Sequence, residues 1–331
     1  MLHPITPDYI HGAVSLEPID GGLKPWRLPY ARLALYPPDV MIGLAEQTAG
    51  VRVRLQTDAD GVDLHVAPLG GARLFDLVID NALLQTGMLE AGQETVRFAG
   101  LPVGAKVVEI WLPQGAPVVV RGLETRDSAL LAPAEDPRPK WLTYGSSITH
   151  CHGAHSPART WPATAARQMN VNLTCLGFSG NCHMEPMLAR LIRDLPADLI
   201  TLKMGINIQG GSTLSERTFK AAAIGFVQLI RERHATTPLG VISPIISPPR
   251  EDTPNAVGLT LPRMREELAD AVARLEEHGD NHLVYCDGLR VSGEALLPYL
   301  PDQLHPNGDG YELLGRNVAE VALAQLVGVR V

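Results

Sequence analysis

Two serines stand side by side in Tyr144-Gly145-Ser146-Ser147-Ile148-Thr149, and near the far end of the chain Asp302-Gln303-Leu304-His305 sets a carboxylate three residues before an imidazole. A serine hydroxyl is a weak nucleophile at neutral pH unless a base takes its proton. An imidazole, with an unperturbed pKa of about 6.5, suits that duty. A carboxylate beside it would fix the tautomer and stabilise the imidazolium formed during attack. Acyl chemistry also needs donors for the oxyanion of a tetrahedral intermediate. Gly177-Phe178-Ser179-Gly180-Asn181 and Met204-Gly205-Ile206-Asn207 offer such donors as backbone N–H groups and a side-chain amide. Taken singly, Ser147, Gly180 and Asn207 also suit turns or helix caps, and Asp302 with His305 suits the approach to a last helix. The coincidence of all of them points to nucleophilic attack on an ester.

The elements around these residues place them at one edge of a sheet. After about residue 140, apolar strand-like runs (141–144, 171–177, 198–204, 238–243 and 282–287) alternate with helical patterns at 161–169, 184–193, 215–233, 261–278 and 309–326. That alternation predicts a parallel sheet covered on both faces, and open sheets of this kind bind ligands at the carboxyl ends of their strands. The three blocks Ser146-Ser147, Gly180-Asn181 and Asn207 each follow a predicted strand. A flavodoxin-like order 2-1-3-4-5 is expected, which would bring Ser147 beside Asn207. Before residue 135 the texture differs. Seven short runs, at 32–36, 51–56, 62–66, 74–79, 94–98, 106–112 and 117–123, with no convincing helix between them, predict an all-β sandwich. Three prolines within residues 132–140 read as a short stiff linker, so the domains are expected at 1–135 and 136–331.

The 331 residues carry a net charge of −8, with 45% hydrophobic and 19% charged residues, which is globular and excludes a disordered chain. The acidic balance, without a long Lys/Arg run, argues against nucleic acid as a partner. No run reaches the roughly 18 apolar residues of a spanning helix, and no basic-then-apolar leader opens the chain. Four scattered cysteines, Cys151, Cys175, Cys182 and Cys286, read as reduced thiols. The expectation is a cytoplasmic protein that does not engage a membrane.

The four blocks, in this order and at these strand ends, resemble those of the SGNH hydrolases, the GDSL-type esterases and lipases. The resemblance spans about residues 140–329. The first half looks like the jelly-roll-like β-sandwich that precedes this domain in some members. One branch of the family is similar also through Lys203-Met204-Gly205-Ile206-Asn207 and Ser247-Pro248-Pro249-Arg250-Glu251-Asp252, and includes acyltransferases that decorate polyketides. The resemblance implies a three-layer α/β/α domain with Ser147 as nucleophile, His305 as base and Asp302 as its orienting acid. The oxyanion donors would be the N–H groups of Ser147 and Gly180 and the Asn207 amide, with no cofactor. The family usually has Gly-Asp-Ser in the first block, whereas Ser146 stands here in place of the aspartate. Which serine attacks is therefore a question for the structure.

The implied activity is hydrolysis of a short acyl or acetyl ester, with a small-molecule acyl ester or acyl donor as partner. The alternatives are transfer of the acyl group to a natural-product or sugar hydroxyl and, from another class, a non-catalytic glycan-binding protein. His150, Cys151, His152, His155, Cys182 and His183 also gather after the first two blocks, but their spacing matches no recurrent zinc pattern and ester chemistry requires no metal. A polar pocket lining is the expected use, and a Cys151 thiolate nucleophile lacks any sequence signal of a lowered pKa. The proline-rich stretch 243–258 should form an ordered loop in which Arg250, Glu251 and Asp252 meet solvent or structural partners.

Overall fold

The computed structural model of the chain describes residues 2–19, 21–125 and 129–328. Met1, Asp20, residues 126–128 and residues 329–331, including the outer ends of the expected domains, lie outside the described residues. Two compact units are present: Met1–Arg138 with Ser156–Arg159, and Pro139–His155 with Thr160–Val331.

The first unit is β-rich. One six-stranded antiparallel sheet runs Ser15–Ile19, Gly22–Trp26, Val120–Thr125, Gly61–Val66, Thr95–Ala99, with His3–Pro4 also paired to Val120–Thr125. The other runs Leu131–Pro133, Arg52–Thr57, Lys106–Trp111, Arg73–Ile79, Ala82–Leu89, with Ile10–His11 also paired to Arg52–Thr57. Alternate residues of both sheets, among them Val53, Leu55, Phe75 and Ile110 from one and Leu64, Val96, Phe98 and Val120 from the other, join in one buried apolar cluster. The period of two along each strand delivers one face to that cluster. Of residues 32–36, expected as a strand, 32–35 lie instead in a 3-10 helix, Tyr30–Leu35, and Tyr36 is its C-cap. The 132–140 segment is no free linker either. Leu131–Pro133 pairs with Arg52–Thr57, and the Asp136 carboxylate is buried against Arg52 and Arg138. Ser156–Arg159 belongs to this unit, and Ala158 N–H donates to buried Asp76 at 2.7 Å.

The second unit is an α/β domain with five parallel strands: β1 Lys140–Gly145, β2 Asn172–Gly177, β3 Leu199–Lys203, β4 Leu239–Ile242 and β5 Leu283–Cys286. Their order is β2-β1-β3-β4-β5. The β3 run Leu-Ile-Thr-Leu-Lys is buried throughout, as a strand covered on both faces must be. Its helices include α1 Ser147–His150, α2 Trp161–Met169, α3 Pro186–Asp194, α4 Ile206–Gly211, α5 Glu216–Arg231, α6 Pro248–Glu251, α7 Leu261–Glu277 and α8 Gly308–Val318, and Gly288–Val291 and Ala324–Gly328 are helical as well. Their starts are written in the sequence. Thr160, Thr260 and Asn307 cap α2, α7 and α8 through side-chain oxygens, and Ser215 with Thr218 closes a capping box on α5. In α5, Phe219, Ala223, Phe226, Val227 and Ile230 recur at helical spacing as its buried stripe.

Candidate active site

The first two strands end in register at Gly145 and Gly177, and α1 lies directly across both ends. A Cβ at Gly177 would sit 2.5 Å from the His150 nitrogen, and one at Gly145 would collide with Thr149 Oγ1. Only glycine lets the first turn of α1 descend onto the sheet edge. That descent exposes Ser147. Ser146 caps α1, its hydroxyl accepting Ile148 N–H at 3.3 Å, and is fully buried, whereas Ser147 is half-buried. The two adjacent serines thus separate into a cap and an accessible hydroxyl.

Ser147 Oγ is 2.8 Å from His305 Nε2, and His305 Nδ1 is 2.6 Å from Asp302 Oδ2. The other carboxylate oxygen, Oδ1, accepts the backbone N–H of Leu304 at 3.0 Å and of His305 at 2.6 Å. Partial burial pushes the Asp302 carboxyl up, but the imidazole and the two backbone donors outweigh it and hold its pKa down to about 2. Asp302 therefore stays a carboxylate and keeps the hydrogen on Nδ1, leaving Nε2 as the acceptor facing Ser147.

The other two expected blocks fall on either side. Gly180 follows β2 with φ +71, a left-handed conformation that favours glycine, and has open space where a side chain would be. Asn207 stands in the first turn of α4 after β3, half-buried, and its Oδ1 accepts the N–H of Cys182 at 3.1 Å. That bond fixes the amide's orientation and leaves Nδ2 as its donor end. Among the described residues no acceptor engages Ser147 N–H, Gly180 N–H or Asn207 Nδ2. β1 lies between β2 and β3, so all three donors belong to neighbouring strand ends.

Two of the supports, Ser179 and Glu185, had no sequence signal of their own. Ser179 Oγ bonds to His150 Nδ1 at 3.2 Å and His152 Nδ1 at 3.4 Å, and His183 Nε2 bonds to the Gly180 carbonyl at 3.0 Å. Glu185 accepts from Tyr144 OH at 2.8 Å and from His183 N–H at 3.1 Å, tying the Gly180 loop to β1. Of the expected His/Cys cluster, His150 and His152 stay together, their ring centres 4.0 Å apart beside Ser179, and the other members make separate contacts. His155 bonds to Asp309 at 2.8 Å, while Cys151 and Cys182 are buried thiols donating to the carbonyls of Ile148 and Lys203. Burial pushes both thiols up, away from thiolate character. In the proline-rich loop Glu251 pairs with Arg265 at 2.7 Å, so that carboxylate is structural.

Fold and site together define an ester-handling α/β enzyme. Residues 143–313 match the GDSL-like lipase/acylhydrolase family, and the chain belongs to it. Residues 8–121 match the N-terminal domain of SsfX3. Among solved structures, the salicylyl-acyltransferase SsfX3 from a tetracycline biosynthetic pathway is 35% identical, with a TM-score of 0.89 over 98% of this chain and 97% of that one. A candidate GDSL-like lipase from Bacteroides ovatus is 21% identical (TM-score 0.77, covering 99% and 98%). A family two carbohydrate esterase from Clostridium thermocellum is 15% identical (TM-score 0.69, covering 97% and 99%). These two share the fold. No match was found among curated protein sequences. Among the described residues no helix is long and apolar enough to cross a membrane.

Proposed function

We propose that the protein cleaves a carboxylic ester of short acyl type through an acyl-Ser147 intermediate. The observation that carries this reading is the unbroken series Ser147 Oγ, His305 Nε2, His305 Nδ1, Asp302 Oδ2, with steps of 2.8 and 2.6 Å. As Ser147 Oγ attacks the carbonyl carbon, His305 takes its proton at Nε2. The N–H groups of Ser147 and Gly180 and the Asn207 amide receive the oxyanion. Collapse expels the alkoxide, which takes the proton from His305 and leaves as the alcohol. A second hydroxyl, deprotonated by His305, then attacks the acyl-serine and releases Ser147.

That second hydroxyl belongs either to water or to an alcohol acceptor. Likeness to a salicylyl-acyltransferase at 35% identity, over nearly the whole of both chains, favours transfer to a natural-product or sugar hydroxyl as the second reading. Both outcomes share the acyl-enzyme, so the acceptor that the pocket holds at attack distance decides between them. We also read the first unit as a jelly-roll-like sandwich covering about residues 1–135 before a catalytic domain at 136–331. Its two sheets sharing one apolar cluster support that reading.

The test is a panel of acyl esters and thioesters, with and without candidate alcohols, followed by mass spectrometry. Free acid as the dominant product at high alcohol concentration supports the hydrolase, and a new ester forming faster than acid supports the transferase. An organophosphonate adduct on Ser147 is expected in either case. An unlabelled protein would instead return the reading to a glycan-binding module.

A further inference from the structure

The loop after β4 begins α6 with Ser247-Pro248-Pro249-Arg250-Glu251. A serine at a helix N-cap ordinarily turns its oxygen onto the N–H of the second or third helical residue. Prolines at the first two positions lack an N–H, and Ser247 makes no capping bond. Its hydroxyl is used elsewhere. It donates to the Gln303 carbonyl at 2.8 Å and accepts from Arg250 Nη1 at 3.0 Å, on a residue only 1% exposed.

Ser247 is itself braced from behind. Its N–H donates to Glu251 Oε1 at 3.0 Å, and the Glu251 carboxylate accepts from Arg265 Nη1 and Nη2 at 2.7 and 2.8 Å. Arg265, a buried residue of α7, also binds the carbonyls of Pro244 at 2.8 Å and Ile245 at 3.2 Å. The serine thus sits on an ion pair locked to the core of the domain.

Gln303 is the residue that needs such a hold. It adopts φ +61, a left-handed conformation unfavourable for a residue with a side chain, and it is exposed. Its backbone is fixed by its N–H to Leu300 O at 3.0 Å and by its carbonyl to Ser247. It also lies between Asp302 and the Leu304 and His305 amides that Asp302 Oδ1 collects, so the left-handed turn is what folds those amides back onto the carboxylate.

We propose that Ser247 is a positioning residue for the reaction, holding the Gln303 carbonyl so that the Asp302–His305 pair keeps its register toward Ser147. The inference rests on the acyl-serine reading above. Ser247→Ala is expected to lower kcat about tenfold with KM unchanged, the size of effect that a loosened left-handed residue would bring. The downfield proton resonance of the His305 Nδ1–H to Asp302 bond should broaden in the same variant. Ser247→Thr should retain both. Adding Gln303→Gly to Ser247→Ala should restore kcat, because glycine takes positive φ without strain, a rescue that a packing role would not show.

Should Ser247→Ala fail to fold, Ser247→Cys keeps the volume, weakens the donor and carries the same expectation. Unchanged kcat in the folded variant, or no rescue by the glycine, overturns the proposal. Ser147→Ala serves as the separate control. If it abolishes turnover while Ser247→Ala is as active as the parent, the positioning role alone falls. If Ser147→Ala retains turnover, the acyl-serine reading itself falls.

Discussion

The hydroxyl of Ser147 lies 2.8 Å from His305 Nε2 although 158 residues separate the two in the chain, while the hydroxyl of neighbouring Ser146 is turned inward onto Ile148 N–H. One step along the backbone therefore separates a group that meets an imidazole from a group that caps a helix. Ser147→Ala should abolish turnover of a short acyl ester and labelling by an organophosphonate. Ser146→Ala should lose the cap, about 1 kcal/mol of stability, and retain much of the activity. Steady-state rates beside melting curves check both, and the opposite pattern would move the nucleophile to Ser146.

Asp302 is expected to matter for rate more than for binding. Asp302→Asn should lower kcat by about a thousandfold or more, because an amide can no longer hold the Nδ1 hydrogen in place. The linkage to pH has a definite sign. The folded pKa of about 2 lies below the ordinary 3.8, so the carboxylate's stabilising contribution is present above about pH 4 and is lost as the pH falls toward 2. The Tm difference between the parent and Asp302→Asn should accordingly shrink over that window, and a difference independent of pH would contradict the assignment.

Asn207 presents one amide end to Cys182 N–H, and among the described residues no acceptor engages the other, the end proposed above to meet the oxyanion. Asn207→Ala should cost about 3 kcal/mol of transition-state stabilisation, roughly a hundredfold in kcat, with KM little changed. Asn207→Asp should be worse. It keeps the acceptor for Cys182 but sets a negative charge where the oxyanion forms. Equal kcat in the two variants would remove Asn207 from the oxyanion site.

Glycine at the strand ends separates two physical reasons for one residue type. At Gly177 a Cβ would meet the backbone of α1 at 2.5 Å, whereas at Gly180 the space is open and only the positive φ opposes a side chain. Gly180→Ala should therefore cost about 1–2 kcal/mol. Gly177→Ala should cost more than about 3 kcal/mol and displace Ser147 with the helix that carries it. Denaturant midpoints with activity measured alongside check the contrast.

The α/β half was legible because its signals are local. β3 reads as an apolar run, α2 and α7 carry their own caps, Ser147, Gly180 and Asn207 each follow a strand end within a few positions, and Asp302 and His305 stand three residues apart just before α8. The β-rich half was less so. The strand Ala82–Leu89 is exposed on alternate residues and includes Gly87, so its pattern lacked the apolar run that marks a strand. Residues 32–36 had apolar alternation but pair with no strand among the described residues, and the chain winds into a 3-10 helix through Leu35 instead. The tasks of Ser179, Glu185 and Ser247 were invisible because each depends on a contact distant in sequence.

The same reason hid the buried charges behind residues 132–140. Asp136 and Glu109, 1% and 4% exposed at their side chains, share Arg52, itself 0% exposed, and Arg138 closes on both carboxylates. Burial pushes both carboxyls up, and the arginines outweigh it and hold both below their ordinary values. Truncating one member of such a set leaves buried charge uncompensated, so Arg52→Ala should destabilise the protein by about 3–5 kcal/mol at neutral pH. The sign of the pH effect follows from the lowered pKa values: the stabilisation is present above the ordinary carboxylate range and fades as the pH falls through the folded values. Denaturation of parent and variant at pH 7 and at pH 3 should therefore show the gap narrowing in acid. The same gap at both pH values would mean that Arg52 contributes through its packing over the Trp111 ring, 5.0 Å away, instead of through its charge.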